Sequence, residues 1–272
     1  MGIVFGPLAS IAIGCGAAPA LAAGVVLLPH HAVYKLTLAS STGSKAPADA
    51  SGMITYDFSG SACEGFKTAF RQVTSLQPAE GDARVSATET STLESGDAAK
   101  FDFDIRTSLN QGDADDVKGK ATRDKAGALA IALDAPKPTT LDVKAGALFP
   151  TEHLSRVITT AENGAHILSA SVFDGSDTGQ KVFSTLSVIG GPITAPAAEA
   201  AAQDAALSGL RRWPVTISYF EPGKDDAQPA YVLSFELYEN GVSRALKVDY
   251  GTFALAGELV EFKPGQAAPC TK

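Results

Sequence analysis

From Ala32 onward the chain reads as one period-2 stretch after another, each closed by a polar or glycine-containing turn, and this rhythm restricts the fold to an antiparallel, all-β design. Ala32-Val33-Tyr34-Lys35-Leu36-Thr37-Leu38 alternates as a half-buried strand does, and residues 40–50 form a Gly/Ser/Pro/Asp loop. Gly52 to Phe58 is the next strand, turning at Ser59-Gly60, and is followed by Phe66 to Leu76 and Arg84 to Leu93. In Phe101-Asp102-Phe103-Asp104-Ile105-Arg106 the alternation is strict, placing Phe101, Phe103 and Ile105 on one face and charged side chains on the other. Val117 to Asp124 and Leu129 to Leu133 continue the meander. Near the C-terminus, Asn240-Gly241 joins Tyr231–Tyr238 to Val242–Tyr250. Asn-Gly suits the two positive φ angles of a type I′ turn, so a hairpin of that type is expected.

One segment breaks the rhythm. After Phe149-Pro150, Thr151 can cap a helix whose Leu154, Val157 and Ile158 share a face and which stops at Asn163-Gly164. A lone amphipathic helix in an antiparallel chain needs a concave sheet to cover that face, either as core filling or as a plug over an apolar ligand cavity lined by Leu154, Val157 and Ile158. A weaker helical stretch, Ala197 to Leu207, follows Pro192 and Pro196 and reads as a surface excursion.

The beginning of the chain has a different character. Gly2 to Leu28 contains no charged residue, and Ile11, Ile13, Leu21, Val25, Val26 and Leu28 sit among small residues, as in the apolar core of an export signal. Ala20-Leu21-Ala22 is the best cleavage site and Ala18-Pro19-Ala20 the second. The chain accordingly divides into a signal peptide, residues 1–22, and a single domain, residues 23–272. The basic start of such a signal is missing, since the first Lys or Arg is Lys35. A membrane anchor and lipidation at Cys15 are the competing readings of the same stretch. Export to the periplasm would leave two cysteines, Cys63 and Cys270, as a disulfide closing nearly the whole mature chain, worth about 5 kcal/mol by chain entropy. A metal or redox site would need the CxxC or His/Cys clustering that is absent.

The net charge of -8 over 272 residues, with no basic stripe, excludes nucleic acid as the expected partner and disfavours adhesion to anionic lipid heads. Catalytic motifs are equally scarce. Asp177-Thr178-Gly179 spells the aspartic-protease triplet but follows Gly175-Ser176 instead of an apolar strand and has no second copy, so a polar turn accounts for it better. Asp174, Ser176 and Thr178 have the spacing of a calcium loop without its closing Glu. His30 and His31 would point to opposite faces at a frayed terminus, His153 lies on the helix and His166 opens the next strand, a set with no zinc spacing. No cofactor is implied, and the chain is read as a non-enzyme.

The run from Ser51 to Phe66, Ser-Gly-Met-Ile-Thr-Tyr-Asp-Phe-Ser-Gly-Ser-Ala-Cys-Glu-Gly-Phe, resembles the motif around the first cysteine in the EipB family of periplasmic cell-envelope integrity proteins of Gram-negative bacteria. His31 to Leu38, Phe149 to Leu154, Phe173 to Asp177 and Leu237 to Ser243 agree with it in order, while Phe66 stands where the family often has Trp. The resemblance implies an antiparallel β-spiral or open barrel, LolA/LolB-like in outline, with one short amphipathic helix packed against the curled sheet. It also implies paired cysteines at Cys63 and Cys270, a role in maintaining the envelope, and no established reaction. Two functions follow: a monomeric protein that binds other periplasmic or envelope proteins, or a carrier that shelters a lipid or lipoprotein acyl chain.

Overall fold

The structure, a computed structural model, describes residues 24–223 and 228–266. In chain order the strands are β1 (His30–Ser41), β2 (Asp49–Ser61), β3 (Gly65–Gln77), β4 (Arg84–Glu94), β5 (Lys100–Leu109), β6 (Asp115–Arg123), β7 (Leu129–Ala135), β8 (Thr139–Val143) and β9 (Ala147–Leu148). The helix α1 (Pro150–Glu162) follows, and then β10 (Ile167–Val172), β11 (Phe183–Ile189), β12 (Arg212–Phe220), β13 (Tyr231–Tyr238), β14 (Ser243–Asp249) and β15 (Phe253–Pro264). The export signal expected at residues 1–22 and Cys270 lie outside the described residues.

All the strands belong to one sheet, in the order β8-β7-β6-β5-β4-β3-β2-β1-β15-β14-β13-β12-β11-β10-β9. The first and last strands therefore meet in the middle, where β1 pairs antiparallel with β15 from His30↔Pro264 to Ser41↔Phe253. The two edges, β8 and β9, are consecutive in the chain and separated by only Lys144, Ala145 and Gly146. Fifteen strands laid flat would span about 65 Å at the usual strand spacing. The link from Val143 to Ala147 reaches at most about 14 Å. The sheet must curl until its edges nearly meet, which makes it a nearly closed, barrel-like, all-β fold with one helix, as the sequence implied.

Side chains close the seam, since β8 and β9 do not pair. Phe101 and Phe103 on β5 stack with each other and meet Phe149 and Phe173, which flank α1 and β10 on the other side of the gap. The loop after Phe173 lies flat on this cluster: a Cβ on Gly175 would sit 2.6 Å from the Phe103 ring, and Gly175 adopts φ +73°. The Asp177-Thr178-Gly179 triplet thus belongs to a seam-closing turn, with Lys181 bridging Asp177 and Glu221.

Four local expectations need correction. Asn240-Gly241 does make a hairpin, but Gly241 alone has positive φ (+87°), Gly241 N–H donates to Tyr238 C=O at 2.9 Å and Tyr238 N–H donates to Val242 C=O at 2.8 Å, the pattern of a type I turn with a glycine bulge. His30 does not fray. It opens a central strand, is buried, and its ring lies 5.5 to 6.1 Å from those of Tyr56, Phe58 and Phe262. Thr151 does not cap α1: the N-cap is Phe149, which has no side-chain acceptor. Finally, residues 190–211 are not a loose surface excursion but a packed strap with one 3₁₀ turn, Ala200–Gln203. Ala197, Ala202 and Leu207 are buried against Tyr34, Leu36 and Leu259, and Glu199 pairs with Arg244 while accepting the Leu259 N–H at 3.1 Å. Leu207, only 3 % exposed, decides the matter by mutation. Leu207→Ala is expected to lower the free energy of unfolding by about 2–4 kcal/mol in urea titration, where a loosely attached strap would show less than about 0.5 kcal/mol.

Candidate functional site

The site suggested by the sequence is the seat of α1 inside the curled sheet. Pro150 at the first helical position fixes φ where no N–H is needed, and the chain leaves the helix through Asn163 and Gly164, the latter at φ +72°. The missing N-terminal cap comes from another strand. Glu94, the last residue of β4, is buried and accepts the Thr151 N–H at 2.8 Å on Oε2 and the Glu152 N–H at 2.9 Å on Oε1. A carboxylate at a helix N-terminus satisfies two orphan donors and opposes the positive end of the dipole. Beside it, Arg123 on β6 donates to Glu152 at 2.8 Å and lies over the Phe149 ring at 4.9 Å, so β4, β6 and α1 are held at one point.

Beneath the helix the space is full. Val157 and Ile158 are 1 % and 0 % exposed and pack with Phe58, Ile189, Trp213, Val215 and Leu237. Leu154 is half-buried at the margin of the same cluster, and the gap it borders with Leu27, His30, Phe58 and Gly241 is too small for a water molecule. The structure brings Leu154, Val157 and Ile158 together as anticipated, and around them it places side chains in contact, not an apolar cavity. Cys63 sits in the exposed turn between β2 and β3. Among the described residues no three His, Cys, Asp or Glu side chains converge in a metal-binding group.

Several polar groups escaped the sequence reading. His153, on the buried side of α1, and Ser187, on the inward face of β11, are the two fully buried side chains with an unpartnered polar atom among the described residues (Nε2 and Oγ), and α1 packs on β11. Under the strap, Arg212 donates to Glu236 at 2.6 Å and to Ala195 C=O at 2.6 Å, and Arg244 pairs with both Glu236 and Glu199. No local spacing announces this network, because its members come from β12, β13, β14 and the strap.

Burial perturbs the titration of these groups in opposing directions. Desolvation raises Glu94 to about 7 despite its two N–H donors, with Glu152 adding repulsion, and desolvation alone lowers His153 to about 4. Asp174 is likewise raised and His30 lowered, chiefly by burial. A raised carboxyl contributes stability that is present below its unfolded pKa of 4.5 and is lost as pH rises to about 7. A lowered histidine contributes stability that is present above 6.5 and is lost as pH falls to about 4. Between about pH 4.5 and 6.5 the two slopes cancel. Glu94→Gln should therefore uncover a loss of stability on acidification through that window, and His153→Leu a gain, each of about 3 kcal/mol at full extent. Urea midpoints at pH 7.5, 6.5, 5.5 and 4.5 measure both, with the wild type nearly level from 6.5 to 4.5.

Comparisons with known proteins agree with this architecture. A protein-family model described as EipB-like matches residues 21–266. The protein named Cell envelope integrity protein EipB from Brucella abortus (strain 2308) is 36 % identical over 249 residues, covering 91 % of this chain and 88 % of that protein. A crystal structure described as a beta-barrel-like protein of a domain of unknown function from Brucella abortus superimposes with a TM-score of 0.82 at 35 % identity, covering 89 % of this chain and 100 % of the other.

Proposed function

The chain belongs to the EipB-like family, and on that premise we propose that it supports cell-envelope integrity from the periplasm, without catalysing a reaction, by binding other envelope proteins. The envelope role rests on the 36 % identical relative that carries that name. The choice of binding over lipid carriage rests on one observation, the filled space beneath α1, where Val157 and Ile158 leave no room for an acyl chain. Export by the leader at residues 1–22 and a single monomeric domain from residue 23 complete the reading.

The Cys63–Cys270 disulfide belongs to the same proposal, and strand direction supports it. Phe58 and Pro264 both pair with His30, on either side of β1, and β2 and β15 run the same way. Cys63 follows Phe58 by five residues and Cys270 follows Pro264 by six. Both chains leave the same end of the sheet, starting about 10 Å apart. The bond would staple the end of the last strand to the turn of the β2–β3 hairpin, across the β1–β15 junction that joins the two halves of the sheet.

Deletion of the gene should sensitise cells to detergent and to cell-wall antibiotics, with rescue by the wild-type gene; a deletion strain indistinguishable from its parent sinks the envelope role. Native mass spectrometry of protein purified from the periplasm should give a bare chain, two hydrogens lighter than the reduced mass. A lipid-sized adduct that disappears on denaturation would replace the binding reading with the carrier. Cys63→Ser should lower stability by about 2–5 kcal/mol in urea titration, and an unchanged midpoint would remove the staple.

A further inference from the structure

The outer wall of the curled sheet is of two kinds. On β3 to β6 it is laced with cross-strand ion pairs: Arg71–Glu89 at 3.0 Å, Arg106–Asp116 at 2.9 Å and Lys118–Asp104 at 2.9 Å. On β10 and β11 neither strand contains an ionisable residue. Their outward apolar side chains are exposed: Ile167 by 66 %, Val188 by 49 % and Leu186 by 37 %. Ile167 pairs with Val188, and Ser169 with Leu186, so the three form one patch.

This patch adjoins an incomplete ladder. Ile189 N–H donates to His166 C=O at 2.8 Å, which sets the phase of the β10–β11 pairing: even-numbered β10 residues bond to β11 and odd-numbered ones face the edge. On that edge β9 is two residues long, pairs parallel with Ser171 and Val172, and accepts the Phe173 N–H at 2.9 Å on Leu148 C=O. Among the described residues no ladder or turn bond reaches the N–H and C=O groups of Ile167 and Ser169 on that edge. The opposite edge of the sheet is guarded: β8 carries Asp142 and is flanked by Pro136, Lys137, Pro138 and Lys144. The β10 edge has no charge, no proline and no bulge.

We propose that the free edge of β10 at Ile167–Ala170 is a strand-addition site, taken by an extended, uncharged segment of a partner protein. The segment continues the edge where β9 stops. Its backbone meets the two donors and two acceptors of Ile167 and Ser169, and its alternate side chains cover Ile167, Leu186 and Val188. Two donors and two acceptors at strand spacing select an extended backbone: a helix keeps its own groups bonded and an acyl chain has none to offer. This rests on the protein-binding reading above and names the surface and the class of partner.

The test uses the full mature protein and a synthetic peptide, acetyl-(Thr-Val)₅-amide, beside the same peptide N-methylated at every residue, which keeps the side chains but loses the pairing donors on both edges. Residue-resolved hydrogen exchange by NMR should show the unmodified peptide slowing exchange at the Ile167 and Ser169 amides by about tenfold or more, with Lys118 on the charged wall unchanged. The methylated peptide should have no effect. Ser169→Pro, whose lost N–H makes no ladder or turn bond among the described residues, should abolish protection, and Ile167→Lys should weaken it by about tenfold. Absence of protection, or equal perturbation by both peptides, overturns strand addition. In cells, failure of both folded variants to rescue a deletion strain that the wild type rescues supports the site. Rescue by both sinks it while leaving the envelope role intact, and a deletion strain without a defect sinks that role and leaves the exchange experiment to decide the edge.

Discussion

The three residues between β8 and β9 set the shape of the molecule. Because the chain lays its strands outward from β1 to β8 and then returns from β9 to β15, the two edges of the sheet are neighbours in sequence. A link of that length does not allow a flat or openly twisted sheet of this width, so curling follows from connectivity before any side chain is considered. The helix is the next consequence. A curled sheet of this circumference encloses more space than its own inward side chains can fill, and α1 begins directly at the seam, two residues past β9. Its apolar face then packs on Phe58, Trp213 and Val215, and the same insertion brings Phe149 onto Phe101.

Filling a barrel with a helix creates a polar problem, because the helix N-terminus and its polar residues are carried inside. The fold answers it with groups from distant strands. Glu94 supplies the cap, Arg123 holds Glu152, and under the strap the carboxylates of Glu236 and Glu199 balance the guanidinium groups of Arg212 and Arg244. Removing one partner of such a network leaves a charge stranded, whereas the complete set gives little net stability. These contacts therefore fix where α1 and the strap sit more than how firmly the chain folds. Glu94 shows the balance most clearly: desolvation outweighs two N–H donors and raises its pKa, so the cap is held for geometry at a cost in free energy.

Much of this architecture is legible in the sequence because it is periodic. Phe101, Phe103 and Ile105 alternate with charged residues and are indeed buried on one face, and Pro150 and Gly164 bracket the helix they punctuate. What escapes is contributed by residues far apart in the chain. Glu94 looks like the polar end of a strand, and nothing near it announces a helix that starts 56 residues later. The strap reads as a surface excursion because its buried residues, Ala197, Ala202 and Leu207, share neither a helical nor a strand period, and His30 looks terminal because the β15 partner that buries its strand is the last one made. The helix face was found correctly, yet amphipathicity states only that Val157 and Ile158 meet something apolar; it does not distinguish packed rings from empty space.

That last distinction carries the functional argument furthest. A curled sheet with a helix inside has two ways to act, through its interior or through its walls, and here the helix occupies the volume a cargo would need. The walls are then what differs from place to place. Both edges of the sheet present the same backbone groups, so hydrogen bonding alone gives no preference between them; side chains do. Proline and charge beside β8 raise the cost of an incoming strand, and the uncharged β10–β11 surface lowers it by offering aliphatic side chains already half desolvated by their neighbours. An exposed aliphatic patch weakens solubility unless something recurrently covers it. With -8 net charge elsewhere to keep the chain dispersed, the neutral wall is tolerable in the free protein, as the proposed strand addition requires.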